Sequence, residues 1–193
     1  MIYLVRHGQT EFNRLDRFQG HGDSPLTELG VRQAQAYANL LAEQVRDPAG
    51  WRILASPLGR TRGTAEVIAK RLGLPVETEP RLIEVTLGDW DGRVRSELRS
   101  QYPDAFSPGG WVTAPGGETY EAMTARISDW FADLPDEPDR RIIAVSHGVT
   151  GRVVRGVYAS LGREASDAQR APQDAIFRLK DGSIHRLECE PVS

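Results

Sequence analysis

Two short apolar stretches of this chain each end in a histidine that is followed by glycine. Residues 2–5 lead through Arg6 to His7, and residues 142–145 lead to His147. Both stretches are rich in β-branched side chains, which predicts buried strands. Ligands of open α/β sheets bind beyond the carboxyl ends of the strands. If the two strands are parallel neighbours, both histidines project into one crevice, where they could take part in catalysis.

Arginines accompany the histidines and indicate which chemistry this crevice would support. Arg6 precedes His7 directly. After another predicted strand, Ser56-Pro57 has the pattern of an N-cap and a first helical residue, which puts Arg60 in the first helical turn. Guanidinium groups and helix N-terminal amides both bind phosphate oxygens. The combination favours phosphoryl chemistry in which a neutral imidazole attacks phosphorus and arginines stabilise the transferring oxygens. The chain has no Gly-rich loop followed by Lys-Ser or Lys-Thr, which excludes a nucleotide P-loop.

The elements that must position these residues alternate between strand and helix. The spacing of apolar residues predicts strands at 2–6, 51–55, 74–78, 142–145, 175–179 and 183–187. It predicts helices at 27–45, 56–72, 95–101, 119–134 and 150–161, with Thr27 as an N-cap and Gly73 as a C-terminal stop. This alternation predicts an α/β protein with a mostly parallel sheet, to which a hairpin around Asp181-Gly182 adds an antiparallel edge.

Length and composition exclude several classes of protein. The 193 residues fit one domain, and the 39% apolar and 26% charged fractions are typical of globular proteins. The net charge of -3 and the absence of a long basic run argue against nucleic acid as a partner. Neither a run of about 20 apolar residues nor a signal-peptide pattern occurs, so we expect no membrane partner. The single cysteine, Cys189, suits a reducing cytoplasm, where we expect the protein to act.

Further motifs lie in order between residues 6 and 147. They are Arg6-His7-Gly8 with Asn13, Gln19-Gly20, Asp23-Ser24-Pro25-Leu26-Thr27, Ser56-Pro57-Leu58 with Arg60, Glu84 with Gly88-Asp89-Trp90-Asp91-Gly92, Gly116-Gly117-Glu118-Thr119 and Ser146-His147-Gly148. This ordered set resembles the histidine phosphatase superfamily, specifically the broad-specificity phosphatase and mutase branch of its phosphoglycerate mutase-like group. The resemblance covers most of the chain and implies a three-layer α/β/α sandwich with a mixed sheet.

The resemblance implies a role for each matching residue. His7 would be the phosphorylated nucleophile, and Glu84 would protonate the leaving group and then activate water. The residues that bind the phosphoryl group would be Arg6, Arg60 and His147, with Asn13 assisting. The remaining substrate contacts would come from Gln19, Gly20 and Gly148. The resemblance implies neither a metal nor another cofactor.

One segment departs from the cofactor-dependent phosphoglycerate mutases, which resemble this chain but are longer. They carry paired arginines for the substrate carboxylate between the regions that correspond to Glu84 and to residues 116–118. Here residues 91–117 form a short, cap-like insertion in the single domain 1–193, without adjacent arginines. A short cap should leave a phosphohistidine open to water. We therefore expect a metal-independent phosphomonoester hydrolase of the histidine acid type, whose partner is a small phosphorylated metabolite.

Four other functions stay open at this point. Two use the same nucleophile, namely phosphoglycerate mutase-type phosphoryl transfer and dephosphorylation of phosphohistidine on a protein. A metal hydrolase could use His7, His147 and Glu84 as ligands, although the arginines beside them would repel the ion. The fourth is a phosphate-binding module without activity. Sugar phosphates, phosphoglycerates and α-ribazole phosphate are all possible substrates, and the oligomeric state does not follow from the sequence.

Apart from the predicted helix at 95–101, residues 88–117 show no regular spacing of apolar side chains, so the sequence predicts their structure less specifically. Prolines and glycines interrupt the pattern throughout 88–117. We expect Trp111 to pack in the core, or else to form a lid over the substrate together with Tyr102 and Phe106. His21, in a polar loop, is expected to be a solvated residue beside the crevice.

Overall fold

The sheet of the computed structural model, which describes residues 1–106 and 110–192, has six strands. In chain order they are β1 (Ile2–Arg6), β2 (Arg52–Ala55), β3 (Val76–Thr78), β4 (Ile142–Ser146), β5 (Ala175–Lys180) and β6 (Ser183–Glu188). Their order in the sheet is β3-β2-β4-β1-β5-β6. The first four strands are parallel, and β5 and β6 form the antiparallel hairpin. This confirms the predicted mixed and mostly parallel sheet.

The two strands that carry the histidines are adjacent at the centre of the sheet. Their parallel register pairs Arg6 with Ser146. The backbone amide of His7 then donates to the carbonyl oxygen of Ser146 at 3.0 Å. The chain therefore leaves β1 and β4 at the same edge, and the ring centroids of His7 and His147 lie 5.2 Å apart. The prediction that these strands are parallel neighbours is confirmed.

Helices cover both faces of the sheet. They are α1 (Glu11–Arg14), α2 (Glu28–Gln44), α3 (Gly59–Leu72), α4 (Arg95–Gln101), α5 (Tyr120–Ala132), α6 (Gly148–Tyr158) and α7 (Arg163–Asp167). Successive side chains of a strand point to opposite faces. Accordingly, Tyr3 and Val5 pack with apolar residues of α2 and α3, whereas Ile2 and Leu4 pack with those of α5 and α6. The two separate cores confirm the three-layer α/β/α sandwich.

Two helices begin at threonine caps, of which Thr27 was predicted as a cap and Thr119 was predicted as the first helical residue. The side-chain oxygen of Thr27 accepts a hydrogen bond from the amide of Gly30 at the start of α2. The hydroxyl oxygen of Thr119 does the same for Ala122 in α5. Each cap satisfies one amide that the helix itself leaves without a partner.

The predicted start of α3 is wrong. The helix begins at Gly59, three residues after Ser56. Leu58 occupies the N-cap position, and the hydroxyl group of Ser56 lies 2.7 Å from the ring nitrogen Nε2 of His147. The carboxylate of Asp23 accepts a hydrogen bond from the amide of Gly59 at 2.5 Å. Arg60 nevertheless falls in the first helical turn, as predicted.

The remaining differences concern short elements. The helices α1 and α7 span four and five residues, too few for apolar spacing to reveal them. In the segment 91–117, α4 lies at the predicted 95–101, and isolated bridges join Arg17 to Val94 and Phe106 to Val112. Residues 107–109 of this segment lie outside the described part. Within the described ranges, no helix has the length and apolar character needed to cross a bilayer.

Candidate functional site

The predicted motifs meet in a cavity beyond the carboxyl ends of the central strands. Five of the predicted site residues line one part of it, which we call the floor, namely Arg6, His7, Asn13, Arg60 and Glu84. Four further arginines line the part that we call the rim, namely Arg17, Arg95, Arg99 and Arg152. Aromatic side chains of Phe18, Phe106 and Trp111 contribute to the same wall. The cavity is thus strongly cationic with an apolar side.

His7 is buried on the floor and is held in one tautomer. Its Nδ1 lies 2.8 Å from the carbonyl oxygen of Gly8. A carbonyl oxygen can only accept, so Nδ1 carries the ring proton and Nε2 of the neutral ring keeps its lone pair. Burial, followed by the charges of Arg6 and Arg60, holds the pKa of His7 well below its usual range. The ring is therefore neutral at neutral pH, as a nucleophile requires.

Arg60 is 2% exposed, and protein groups fix its guanidinium plane. Its Nη1 donates to the carbonyl oxygen of Gly22 at 2.7 Å and to the carboxylate of Asp23 at 3.0 Å. Its Nη2 donates to the carbonyl oxygen of Gly20 at 2.8 Å, and its Nε donates to Nδ1 of His147 at 3.2 Å. These four bonds leave one N–H of Nη2 for a ligand.

His147 is buried against Arg60, and both of its ring nitrogens are engaged. Because Nδ1 accepts from Arg60, the ring proton lies on Nε2, which donates to the hydroxyl oxygen of Ser56. Burial, then the charges of Arg60 and His7, holds the pKa of His147 well below its usual range. The described residues that line the cavity do not include His147. Its predicted contact with a phosphoryl group stays a prediction, whereas its hydrogen bond orients Arg60.

Arg6 offers donors that the protein leaves open. Its Nη1 donates to the carbonyl oxygen of Ala171. Its Nε is buried and has no hydrogen-bond partner among the described residues. Leaving a buried N–H unpaired costs about 1–3 kcal/mol, so an anion at this point would be stabilising. Gly148 lies beside this nitrogen, where an added Cβ would make an ordinary contact at 3.5 Å, so its predicted substrate contact stays a prediction.

Glu84 is fixed at the start of α6. Its Oε2 accepts a hydrogen bond from the amide of Val149 at 3.1 Å, and its Oε1 accepts from the amide of Thr150 at 3.0 Å. A carboxylate is favourable at this end of a helix dipole. The exposed side chain of His21 also contacts this residue, since its Nε2 lies 2.9 Å from the carbonyl oxygen of Glu84. Glu84 therefore has one defined position in the cavity that contains His7.

Three other predicted residues lie where they could contact a ligand. The side-chain oxygen of Asn13 accepts from the amide of Thr10 at 3.2 Å, and that of Gln19 accepts from a serine hydroxyl group at 3.2 Å. Their NH₂ groups remain as donors, and both residues line the cavity. Gly20 has a φ of 49°, and an added Cβ would lie 1.8 Å from a carboxylate oxygen of Asp91. No side chain fits there, and the carbonyl group of Gly20 holds Arg60 in place.

The four rim arginines were missed by the sequence reasoning. Arg95 and Arg99 are four residues apart in a predicted helix, a spacing that could have been recognised as one helical face. Arg17 and Arg152 carry no comparable local signal. Trp111 packs in the core, as expected, and also lines the cavity together with Phe106, whereas a lid over the substrate stays a prediction. Tyr102 does not line the cavity and is 50% exposed.

The arrangement combines a neutral imidazole, guanidinium groups and a carboxylate around one cavity. Within residues 1–106 and 110–192, no three His, Cys, Asp or Glu side chains are grouped so that they could hold a metal ion. The groups present can instead bind a phosphoryl dianion, attack its phosphorus atom and exchange a proton with the leaving group or with water.

Comparison with known protein families gives a match over nearly the whole chain. The model of the histidine phosphatase superfamily (branch 1) matches residues 2–190. A probable phosphoglycerate mutase GpmB of Yersinia pestis (strain Pestoides F) is 48% identical over 196 residues, which cover 98% of this chain and 85% of that protein. A protein of the same name from Photorhabdus laumondii is 35% identical, with the same coverage.

Solved structures are similar over the whole chain as well. The structure of a mycobacterial glucosyl-3-phosphoglycerate phosphatase with VO3 has a TM-score of 0.77 and 29% identity, and the match covers 99% of this chain and 97% of that chain. The alpha-ribazole phosphatase from Shigella flexneri has a TM-score of 0.78 and 24% identity over 98% and 96% of the two chains, which shows the shared fold.

Proposed function

This chain belongs to the histidine phosphatase superfamily, and from that premise we propose that it hydrolyses phosphomonoesters of small metabolites through a phosphohistidine at His7. The observation that carries the proposal is the state of His7. Its Nδ1 proton is held by the carbonyl group of Gly8, and its low pKa leaves Nε2 as a neutral nucleophile in the cavity. Arg6 and Arg60 supply the positive charge that a phosphoryl dianion needs.

In the first step, the Nε2 lone pair of His7 attacks phosphorus while the bond from phosphorus to the ester oxygen breaks. The electron pair of that bond leaves on the ester oxygen, which takes a proton from Glu84. This step uses the protonated form of Glu84, whereas the amides at the start of α6 favour the carboxylate that the second step needs. The phosphorylated ring carries a developing positive charge, which the carbonyl group of Gly8 stabilises through the Nδ1 proton. Arg6 and Arg60 stabilise the charge on the transferring oxygens.

In the second step, Glu84, now a carboxylate, takes a proton from water as the water oxygen attacks phosphorus. The bond from phosphorus to Nε2 breaks, and its electron pair returns to His7. Inorganic phosphate leaves, and Glu84 again holds the proton for the next cycle. No metal ion or other cofactor enters this scheme, which makes the proposed enzyme a phosphatase of the histidine acid type.

A second candidate function is phosphoryl transfer of the phosphoglycerate mutase type. The names of the relatives at 48% and 35% identity favour it. The two functions share the phosphohistidine and differ in its acceptor, which is water in one case and a second substrate hydroxyl group in the other. Measuring phosphate release from 3-phosphoglycerate against its isomerisation, with 2,3-bisphosphoglycerate as primer, separates them.

The experiment that tests the main proposal measures phosphate release from p-nitrophenyl phosphate in excess EDTA. Three proteins are compared, namely the unmodified chain, the His7→Ala variant and the His185→Ala variant. His185 is an exposed histidine of β6 and serves as the matched control. We expect activity to survive EDTA, to fall by about 10³-fold or more in His7→Ala, as for other enzymes that lose a nucleophile, and to stay unchanged in His185→Ala.

Two results would overturn the proposal. One is activity that EDTA abolishes and added metal restores, which would indicate a metal hydrolase. The other is a His7→Ala variant with most of its activity, which would place the nucleophile elsewhere.

A further inference from the structure

The rim of the cavity carries more positive charge than the proposed reaction uses. Six of the described lining residues are arginines, and Glu84 is the one carboxylate among them. Two carboxylates outside the lining, Asp23 and Asp16, pair with Arg60 and Arg95, which leaves the other four arginines without an ion pair among the described residues. A bound phosphoryl dianion would offset two of these charges. Because like charges that face one cavity repel each other, the surplus favours a ligand with additional negative charge.

Two rim arginines project from one side of α4. Arg95 and Arg99 are four residues apart, so they share a helical face. The guanidinium carbon of Arg95 lies 4.7 Å from the ring centroid of Phe18, and that of Arg99 lies 5.0 Å from the ring centroid of Phe106. Stacking on an aromatic face leaves the N–H groups at the guanidinium edge free to donate.

The protein provides these two arginines with little neutralising charge. Within the described chain, Arg99 has neither a hydrogen bond nor an ion pair. Arg95 has one carboxylate partner, Asp16, at 3.7 Å, and both side chains of this pair are about half exposed. Such surface pairs contribute little to stability. Burial lowers the pKa of Arg95, and the charges of Arg99 and Arg152 lower it further, whereas the carboxylates of Asp16 and Glu84 act in the opposite direction.

The other two rim arginines donate only to neutral groups. Arg152 of α6 donates from Nη1 to the carbonyl oxygen of Asp167 at 2.7 Å. Its Nε is buried and lacks a partner among the described residues. Arg17 donates from Nη1 to the carbonyl oxygen of Gly92 at 2.7 Å. Carbonyl groups orient these side chains without offsetting their charge, although the carboxylate of Asp167 also acts electrostatically on Arg152. An unpaired buried N–H is costly unless a ligand accepts from it.

We propose that Arg95, Arg99 and Arg152, with Arg17 beside them, form a second anion site, so that the preferred substrates carry another anionic group besides the transferred phosphoryl group. This inference rests on the proposed phosphatase function. The second group would be a carboxylate or a second phosphate, since both accept from planar guanidinium edges. The aromatic wall formed by Phe18 and Phe106 would contact the carbon skeleton between the two anionic ends.

The test compares substrates that differ in the second group. Glycerol 3-phosphate and 3-phosphoglycerate share a three-carbon skeleton, and the second of them has an added carboxylate. Fructose 6-phosphate and fructose 1,6-bisphosphate form the corresponding pair for an added phosphate. We expect kcat/KM to be at least about tenfold higher for the doubly anionic member of one pair, as hydrogen bonds to charged groups would give.

A double variant then connects this preference to the rim. Arg95→Gln with Arg99→Gln should reduce the preference about tenfold or more, mainly through KM. The control, Arg93→Gln with Arg46→Gln, removes the same charge at exposed arginines outside the cavity and should preserve the preference. Thermal unfolding of each variant shows that the fold is retained. The carboxylate and phosphate pairs together identify which second group the rim recognises.

Binding measured without turnover separates this proposal from the proposed reaction. Both pairs, 3-phosphoglycerate with glycerol 3-phosphate and fructose 1,6-bisphosphate with fructose 6-phosphate, are titrated calorimetrically into the His7→Ala protein, with and without the two rim substitutions. A preference for the doubly anionic ligand that disappears with the rim substitutions supports the second site, even if no phosphate is released from any compound. Equal affinities within both pairs, or a preference that survives the rim substitutions, would overturn it while leaving p-nitrophenyl phosphate hydrolysis as the separate test of function.

Discussion

The floor and the rim of the cavity are both rich in arginine, but the protein holds the two sets differently. On the floor, Arg60 is 2% exposed and donates four hydrogen bonds to protein groups. On the rim, Arg99 is exposed and stacks on Phe106, without a hydrogen bond to any described residue. One guanidinium group is fixed before a ligand arrives, whereas the other is free to adjust.

This difference matches the tasks that we assign to the two regions. A phosphoryl group is the same in every phosphomonoester, and groups that stabilise its transition state work best when they are already in place. The rest of the substrate varies from one metabolite to another, and an exposed arginine such as Arg99, which no described group holds by a hydrogen bond, can accommodate that variation. The comparison predicts that substitutions on the floor impair the reaction for all substrates, whereas substitutions on the rim change the choice among them.

Among the substitutions that test this difference between floor and rim, one at Glu84 should change the rate of phosphate release most. We expect Glu84→Gln to slow phosphate release from glycerol 3-phosphate by about 10²- to 10⁴-fold, because an alkoxide leaves poorly without a proton. p-Nitrophenolate needs no proton, so its release should slow far less. Glu66→Gln, an exposed change on α3, is the control. Equal losses for both substrates would rule out the acid role of Glu84.

A smaller effect is expected at Asp23, which holds the floor residue Arg60 in place but does not itself react. Asp23 accepts from Arg60 and from the amide of Gly59, and therefore acts as a positioning residue. We expect Asp23→Asn to lower kcat and kcat/KM by similar factors of about 10 to 100, since small displacements of catalytic groups are costly. Inhibition by inorganic phosphate should weaken in parallel.

The control for this variant is Asp139→Asn, an exposed carboxylate outside the cavity. If Asp23→Asn lowers the thermal midpoint but leaves phosphate inhibition and kcat unchanged, Asp23 only stabilises α3. The floor would then tolerate an Arg60 that is less firmly held, and the contrast with the rim would lose its basis.

Arg6, His7 and Arg60 of the floor could be predicted because they follow local patterns, whereas Asn13 and Glu84 were implied only by the resemblance to the family. β-Branched runs predict β1 and β4, and parallel strands place their carboxyl ends at one edge, so His7 and His147 had to meet. The orientation of the rings could not be predicted in this way. The hydroxyl group of Ser56 has the same pattern as a helix cap, yet it contacts His147, and this choice depends on packing between distant strands.

The rim could not be predicted because it depends on contacts between distant segments. Arg17 and Arg95 are brought to one wall by the isolated bridge between Arg17 and Val94. Arg152 reaches the same wall from α6, on the far side of the sequence. The spacing of Arg95 and Arg99 indicates a shared helical face, but neither periodicity nor a motif indicates that Arg17 and Arg152 approach it, since each of these arginines alone has the pattern of an ordinary solvated charge.

The smallest expected effect concerns pH and again separates the floor from the rest of the molecule. Buried His7 and His147 have a pKa well below the usual value in the folded state, whereas in the unfolded chain they take up protons near pH 6.5. The unfolded state therefore binds more protons as the pH falls below about 6.5, and the free energy of unfolding should decrease by at most about 1.4 kcal/mol per pH unit for each ring.

Urea unfolding at pH 7.5, 6.5 and 5.5 measures how steeply the free energy of unfolding changes with pH. His147→Asn should remove about half of this slope, whereas His185→Asn on the exposed hairpin should not. Identical slopes in all three proteins would show that His147 is not held neutral in the folded state.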